Sequence, residues 1–230
     1  MSLLTSADIV GISPVVPVVV VADLELAVPT ARALASGGVG IVEITLRTAA
    51  GLDAIRRVAA EVPEITVGAG TVTSPEQVDQ VRRAGAAFVV LPGAPDRLLD
   101  AAIDSGLPVL PGASTITEMM RLADRGQGVQ KFFPAEPSGG SRFLTSVAGP
   151  LPDLLFCPTG GIDECNAATY LALPNVGCVG GSWITPRDAV RSRDWPRIAD
   201  LARQAVSLRS RRAVPGDVPS LREPAADRSR

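Results

Sequence analysis

Histidine is absent from all 230 residues, and lysine occurs once, at Lys131. The first absence excludes histidine-dependent triads and histidine-ligated metal sites. Any general acid or base is then a carboxylate, a tyrosine, a cysteine, the lysine or water. The scarcity of lysine sets Lys131 apart, because the other 21 of the 22 Lys and Arg residues are arginine. Arginine stays protonated, whereas a desolvated lysine can lose its proton and attack a carbonyl to form a Schiff base. Lys131 sits in the strand-like run Val129-Gln130-Lys131-Phe132-Phe133-Pro134. That apolar, aromatic flank favours the catalytic reading over a lysine whose stem packs on the core while its ammonium reaches water.

Cysteine is sparse as well. Cys157, Cys165 and Cys178 show no C-x-x-C spacing, and their odd number and wide separation argue against a disulfide framework or a zinc site. They read as reduced, mostly buried thiols of a cytosolic protein, so the expected location is cytoplasmic. Long apolar runs are missing too. The run at 15–22 is short, Pro17 interrupts it and no Lys or Arg precedes Arg32, so neither a secretory signal nor a membrane span fits. A net charge of −2 and a pI of about 5.3 give no nucleic-acid footprint.

What is present is a repeat. Strand-like apolar runs begin near Val15, Ile41, Ile65, Phe88, Pro108, Val129, Leu154 and Val176. Between most of them lie helix-like segments, at 24–35, 52–62, 75–84, 115–125 and 166–173, with a last one at 195–206. Ser74-Pro75 supplies an N-cap followed by proline at the first helical position, and Ala84-Gly85 the stop. The short strands are apolar on both faces, as expected where helices cover a parallel sheet. The pattern predicts an α/β fold, a (β/α)8 TIM barrel at 1–207 with a short N-terminal helix at 6–11 plugging its bottom. A doubly wound open sheet would use the same local pattern. Polar or glycine-rich residues follow strand after strand, however, and only in a barrel do all those ends meet around one site. From 208 to 230 the chain predicts a disordered tail, with six Arg against three acids.

Four strand ends carry the chemistry. In Ile41-Val42-Glu43-Ile44-Thr45-Leu46-Arg47, alternation puts Val42, Ile44 and Leu46 on one apolar face and Glu43, Thr45 and Arg47 on the other, inside the barrel. A carboxylate and a guanidinium there are costly unless paired or working. One reading is a structural ion pair closing the barrel top. The other is a carboxylate general acid/base beside an arginine that binds a substrate carboxylate. Thr159-Gly160-Gly161 follows the seventh run and Gly180-Gly181-Ser182 the eighth, the ordinal positions at which barrels bind phosphate through backbone N–H groups. Thr71, in Gly68-Ala69-Gly70-Thr71, offers a hydroxyl to a substrate carboxylate.

These residues resemble a known family. Gly37-Gly38-Val39, Val42-Glu43-Ile44-Thr45-Leu46-Arg47-Thr48, Val67-Gly68-Ala69-Gly70-Thr71-Val72, Lys131-Phe132-Phe133-Pro134-Ala135-Glu136, Phe156-Cys157-Pro158-Thr159-Gly160-Gly161-Ile162 and Gly180-Gly181-Ser182-Trp183 stand in the order found in 2-keto-3-deoxy-6-phosphogluconate aldolases, bacterial class I aldolases. The resemblance implies a trimeric (β/α)8 barrel that cleaves that sugar acid to pyruvate and glyceraldehyde 3-phosphate in the Entner–Doudoroff pathway, with no metal or organic cofactor. It implies that Lys131 forms the Schiff base and Glu43 transfers protons. Arg47 and Thr71 would hold the pyruvyl carboxylate. Thr159 would set stereochemical preference at C4, favouring the gluconate isomer, and Gly160, Gly161, Gly181 and Ser182 would cradle the phosphate. The chain departs from the pattern at Leu91, at Pro137-Ser138 and in the tail, which bears on rate and substrate breadth. Aldol chemistry on another 2-keto acid, and a non-catalytic sugar-phosphate-binding barrel, are the competing readings.

Overall fold

The computed structural model describes residues 4–208. Helix and strand alternate along the chain. The order begins α1 (Ser6–Ile12), β1 (Val15–Val19), a 3-10 turn (Leu24–Leu26), α2 (Ala27–Ser36), β2 (Ile41–Thr45), α3 (Gly51–Glu61), β3 (Thr66–Gly70) and α4 (Pro75–Arg83). It continues with β4 (Val89–Val90), α5 (Asp96–Asp104), β5 (Val109–Leu110), β6 (Gly112–Ala113), α6 (Ile116–Asp124), β7 (Val129–Phe132) and α7 (Gly140–Val147). It ends with β8 (Leu155–Pro158), α8 (Ala167–Leu171), β9 (Val179–Gly181), α9 (Arg187–Ser192) and α10 (Trp195–Ser207). The predicted helices are found with ends shifted by a few residues, and α5, α7 and α9 fill intervals for which the sequence reading named no helix. Except for Leu208, the predicted tail lies outside the described residues.

All strand pairings are parallel, and they form two sheets rather than one. Six strands run β5-β4-β3-β2-β1-β9, and three run β6-β7-β8. The strand predicted near Pro108 divides into β5 and β6 at Pro111, which has no N–H to give to a ladder. Its carbonyl still accepts from Lys131 N–H at 2.9 Å. The strand predicted from Val176 starts at Val179, and only the isolated parallel bridges Phe156↔Val176 and Thr159↔Gly180 link that segment to β8.

Side-chain alternation sorts the core into two layers. Val42 and Ile44 of β2, Phe132 of β7, Phe156 of β8 and Val179 of β9 pack in the large cluster shared with the helices. Ile41, Phe88, Val90, Leu110, Cys157 and Cys178 belong to a smaller cluster on the opposite strand faces. Helix α1 buries Ile9 and Val10 in that smaller cluster, and Ser6 donates to the Val109 carbonyl at 2.9 Å. Full burial of two such side chains stabilises by about 1.5–3 kcal/mol each, which fixes α1 beneath the strand starts. A capping box at Thr5 and Asp8 begins the helix.

Candidate active site

Strand register places the two central groups. Glu43 of β2 lies beside Val18 and Gly68, and Lys131 of β7 lies beside Gly112 and Cys157. They belong to different sheets, yet Lys131 Nζ stands 3.3 Å from Glu43 Oε1. The two sheets therefore face each other across a shared interior. Both residues are 3 % exposed. Burying two charges costs several kcal/mol per ion, so this pair is expensive scaffolding and useful chemistry. The Phe133 ring centroid lies 5.3 Å from the lysine nitrogen. Close packing holds the carboxylate from the other side, because a Cβ on Gly70 would lie 2.0 Å from Glu43 Oε1.

Arg47 is not the partner of Glu43, which overturns the structural ion pair drawn from sequence. It sits past the end of β2, exposed, and its Nε donates to Thr71 Oγ1 at 3.1 Å. Thr71 holds a φ of +58°, an outlying conformation for a β-branched residue, just after β3. Strain of that kind, of order 1–3 kcal/mol, is kept where surrounding structure enforces it.

A cavity of about 840 Å³ opens at these strand ends. Arg47, Thr159, Gly160, Gly161, Gly181 and Ser182 line it, so six of the nine residues singled out from sequence share one wall space. Phe133 lines it too and faces Lys131 on its other contact. Glu43 and Lys131 lie behind that lining, and Thr71 joins it through Arg47. Gly160 and Gly161 adopt φ of +103° and +78°, so only glycine turns the chain there without strain. Behind Gly161, the Tyr170 hydroxyl donates to the Glu136 carboxylate, and burial together with that bond pushes the phenol well above its ordinary range. A hydrogen bond with Cys178, helped by the nearby Lys131 charge, holds the buried Cys157 thiol below its ordinary value against the opposing effect of burial. Among the described residues no three His, Cys, Asp or Glu side chains cluster as metal ligands would.

Two parts of the cavity escaped the sequence reading. One is the C-terminal end of β1, Val18 to Ala22 with Asp23. The rule that strand C-termini gather at one site applied to β1 as to the others. The second is α9, which contributes Arg187 and Arg191.

The chain matches the family model for KDPG and KHG aldolase over residues 7–201. It is 51 % identical over 203 residues to the 2-dehydro-3-deoxy-phosphogluconate aldolase of Pseudoalteromonas atlantica, covering 88 % of this chain and 94 % of that one. It is 52 % identical over 203 residues to the KHG/KDPG aldolase of Escherichia coli, covering 88 % and 95 %. Among solved structures, it superposes with a TM-score of 0.87 and 40 % identity on the KDPG aldolase of Legionella pneumophila, captured with pyruvate as a covalent carbinolamine intermediate, over 88 % of this chain and 98 % of that one.

Proposed function

Since the chain belongs to the KDPG and KHG aldolase family, we propose that it cleaves 2-dehydro-3-deoxy-6-phosphogluconate to pyruvate and D-glyceraldehyde 3-phosphate through a Schiff base on Lys131. This is the aldol cleavage of the Entner–Doudoroff pathway, and the enzyme is a lyase. The observation that carries the assignment of groups is the buried pair Lys131 and Glu43, 3.3 Å apart.

Glu43 is within reach to take the ammonium proton and leave Lys131 as the neutral nucleophile. The amine adds to the C2 ketone, and Glu43 gives its proton to the carbinolamine hydroxyl, which leaves as water, so an iminium ion forms and the carboxylate is free again. The C4 hydroxyl then gives its proton to Glu43, directly or through water. The C3–C4 bond breaks, the aldehyde leaves, and the electron pair rests in a pyruvate enamine. Glu43 returns a proton to C3, and hydrolysis releases pyruvate. The iminium supplies the electron sink, so the cycle balances without a metal or organic cofactor.

The remaining residues hold substrate. Arg47, with Thr71 beside it, binds the pyruvyl carboxylate. Thr159, buried with its Oγ1 3.4 Å from the Cys157 carbonyl and lining the cavity, sets the stereochemical preference at C4. Gly160, Gly161, Gly181 and Ser182 present backbone N–H groups to the phosphate. The two sheets are arcs of one (β/α)8 barrel at 1–207, a reading supported by the contact of Lys131 with Glu43 and the bridges from β8 toward β9. The assembly is a homotrimer, for which the exposed Ile116 and Met120, one turn apart on α6, offer apolar surface. The location is cytoplasmic, and no helix among the described residues is long and apolar enough to cross a membrane.

Borohydride reduction in the presence of pyruvate tests the assignment. A pyruvate-derived mass increment on the peptide carrying Lys131 is expected. An unlabelled protein would leave a sugar-phosphate binder, and a label elsewhere would move the nucleophile. Turnover of the gluconate substrate, its galactonate isomer and 4-hydroxy-2-oxoglutarate, measured side by side, ranks the substrates.

A further inference from the structure

The phosphate cradle of Gly160, Gly161, Gly181 and Ser182 offers N–H dipoles and a hydroxyl, and it carries no formal charge. A phosphate monoester brings about −1.5 to −2 at neutral pH. Two cations complete the same cavity from α9. Arg187 and Arg191 both line it, together with Val190 between them. Residues four apart on a helix share a face, so one side of α9 turns both arginines to the cavity. The helix follows the Gly181-Ser182 loop after only four residues, which puts these arginines at the cradle end, while Arg47 is engaged with Thr71.

Their surroundings leave them available. Asp188, the one carboxylate of α9, pairs away with Arg197 at 2.7 Å. Neither Arg187 nor Arg191 has an ion-pair partner among the described residues. The single carboxylate lining the cavity is Asp23, whose side chain caps the 3-10 turn by accepting from Glu25 N–H at 3.0 Å. An excess of unpaired cations facing a concave, partly apolar space raises the local potential for an anion.

We propose that Arg187 and Arg191 form a cationic clamp on the distal phosphate and set the enzyme's preference for phosphorylated over unphosphorylated 2-keto-3-deoxy acids. The clamp rests on the aldolase reading of the cavity. Guanidinium and phosphate oxygens match as bidentate partners, and the exposed arginines can close on the dianion after it enters. Arg187 and Arg191 line the cavity while Lys131 and Glu43 lie behind its lining, so the contribution is to binding rather than to chemistry and the effect belongs in KM.

The test compares wild type with Arg187→Ala, Arg191→Ala and the double variant, on the phosphorylated substrate and on its unphosphorylated counterpart. The double variant is expected to raise KM for the phosphorylated substrate by about tenfold or more, the scale of one or two charge-assisted hydrogen bonds, with kcat little changed. KM for the unphosphorylated substrate should not follow, so the preference narrows. Inorganic phosphate should inhibit the double variant more weakly than wild type, and Arg187→Lys with Arg191→Lys should recover part of the loss. Equal shifts for both substrates, or an unchanged KM for the phosphorylated one, would overturn the clamp. Wild-type protein inactive on both substrates would instead sink the aldolase reading, and melting curves by circular dichroism separate either result from misfolding.

Discussion

A carboxamide at position 43 separates proton transfer from shape. Glu43→Gln keeps the side-chain volume beside Gly70 and a hydrogen-bonding atom near Lys131, yet it cannot carry a proton. The variant should still trap pyruvate on borohydride reduction, while turnover falls by about 10²–10⁴-fold, the usual weight of a positioned acid/base. Solvent exchange of the pyruvate methyl protons should fall with it. If exchange and cleavage both survive, another group moves the proton. Lys131→Arg asks the complementary question, because a guanidinium cannot become a neutral nucleophile at working pH. Cleavage and pyruvate-dependent labelling should both vanish, and cleavage near the wild-type rate would end the Schiff-base assignment. At this scale the sequence was informative about residue types. One lysine and no histidine leave few candidates, and alternation in β2 already placed Glu43 opposite Val42 and Ile44. The partner was not legible. Lys131 and Glu43 are 88 positions apart, and only the folded sheets bring them together. Arg47, four residues on and assigned to the same strand face, was the nearer candidate on local grounds and proved to be Thr71's neighbour.

Elements position these groups through contacts that a small substitution can disturb. A methyl on Gly70, the last residue of β3, would overlap the Glu43 carboxylate at 2.0 Å. Gly70→Ala should therefore lower kcat by about 10²-fold, as a displacement near 1 Å does to a catalytic group, while the protein remains folded by circular dichroism. Retention of full kcat would show that Glu43 has room to move. Helix α6 illustrates a second kind of support. Its capping box joins Thr115 and Glu118, and Glu118 accepts from the N–H groups of Ser114 and Thr115, each at 2.9 Å. The Ser114 backbone bond, followed by those of Thr115, holds this carboxyl below its ordinary value of 4.5. A depressed folded value means the stabilisation is complete above 4.5 and fades as pH falls through the lower, folded value. Glu118→Ala should cost about 1 kcal/mol near neutral pH, read as a melting temperature lower by a few degrees, and the gap to wild type should narrow in acid. A gap independent of pH would mean that packing, not charge, is lost. The capping signal Ser74-Pro75 was readable because it is local chemistry. The break at Pro111 and the 3-10 start of the first crossover were not, since each reflects how far neighbouring strands keep pairing.

For the whole molecule, the period of strands and helices was legible and the manner of their joining was not. Repeat spacing predicts a ring of parallel strands, but hydrogen-bond continuity at Pro111 and between β8 and β9 is settled by tertiary fit. The C-terminal helix rests on the same tertiary fit. Helix α10 buries Ile198, Ala199, Ala202 and Ala205, and it packs so tightly on α2 that a Cβ on Gly37 would lie 2.4 Å from that of Ala202. Its C-cap is Leu208. The residues that follow carry six Arg and three acids with little apolar periodicity, and they stand beyond the family match, which stops at 201. They offer little apolar area to bury, so folding has little to lose by their removal. Truncation after Leu208 should leave kcat, KM and melting temperature unchanged within error, although it removes a formal charge of +3 and leaves a more acidic chain. A fall of several degrees, or a smaller particle by light scattering, would show that these residues pack on the rest of the chain or on a second copy of it.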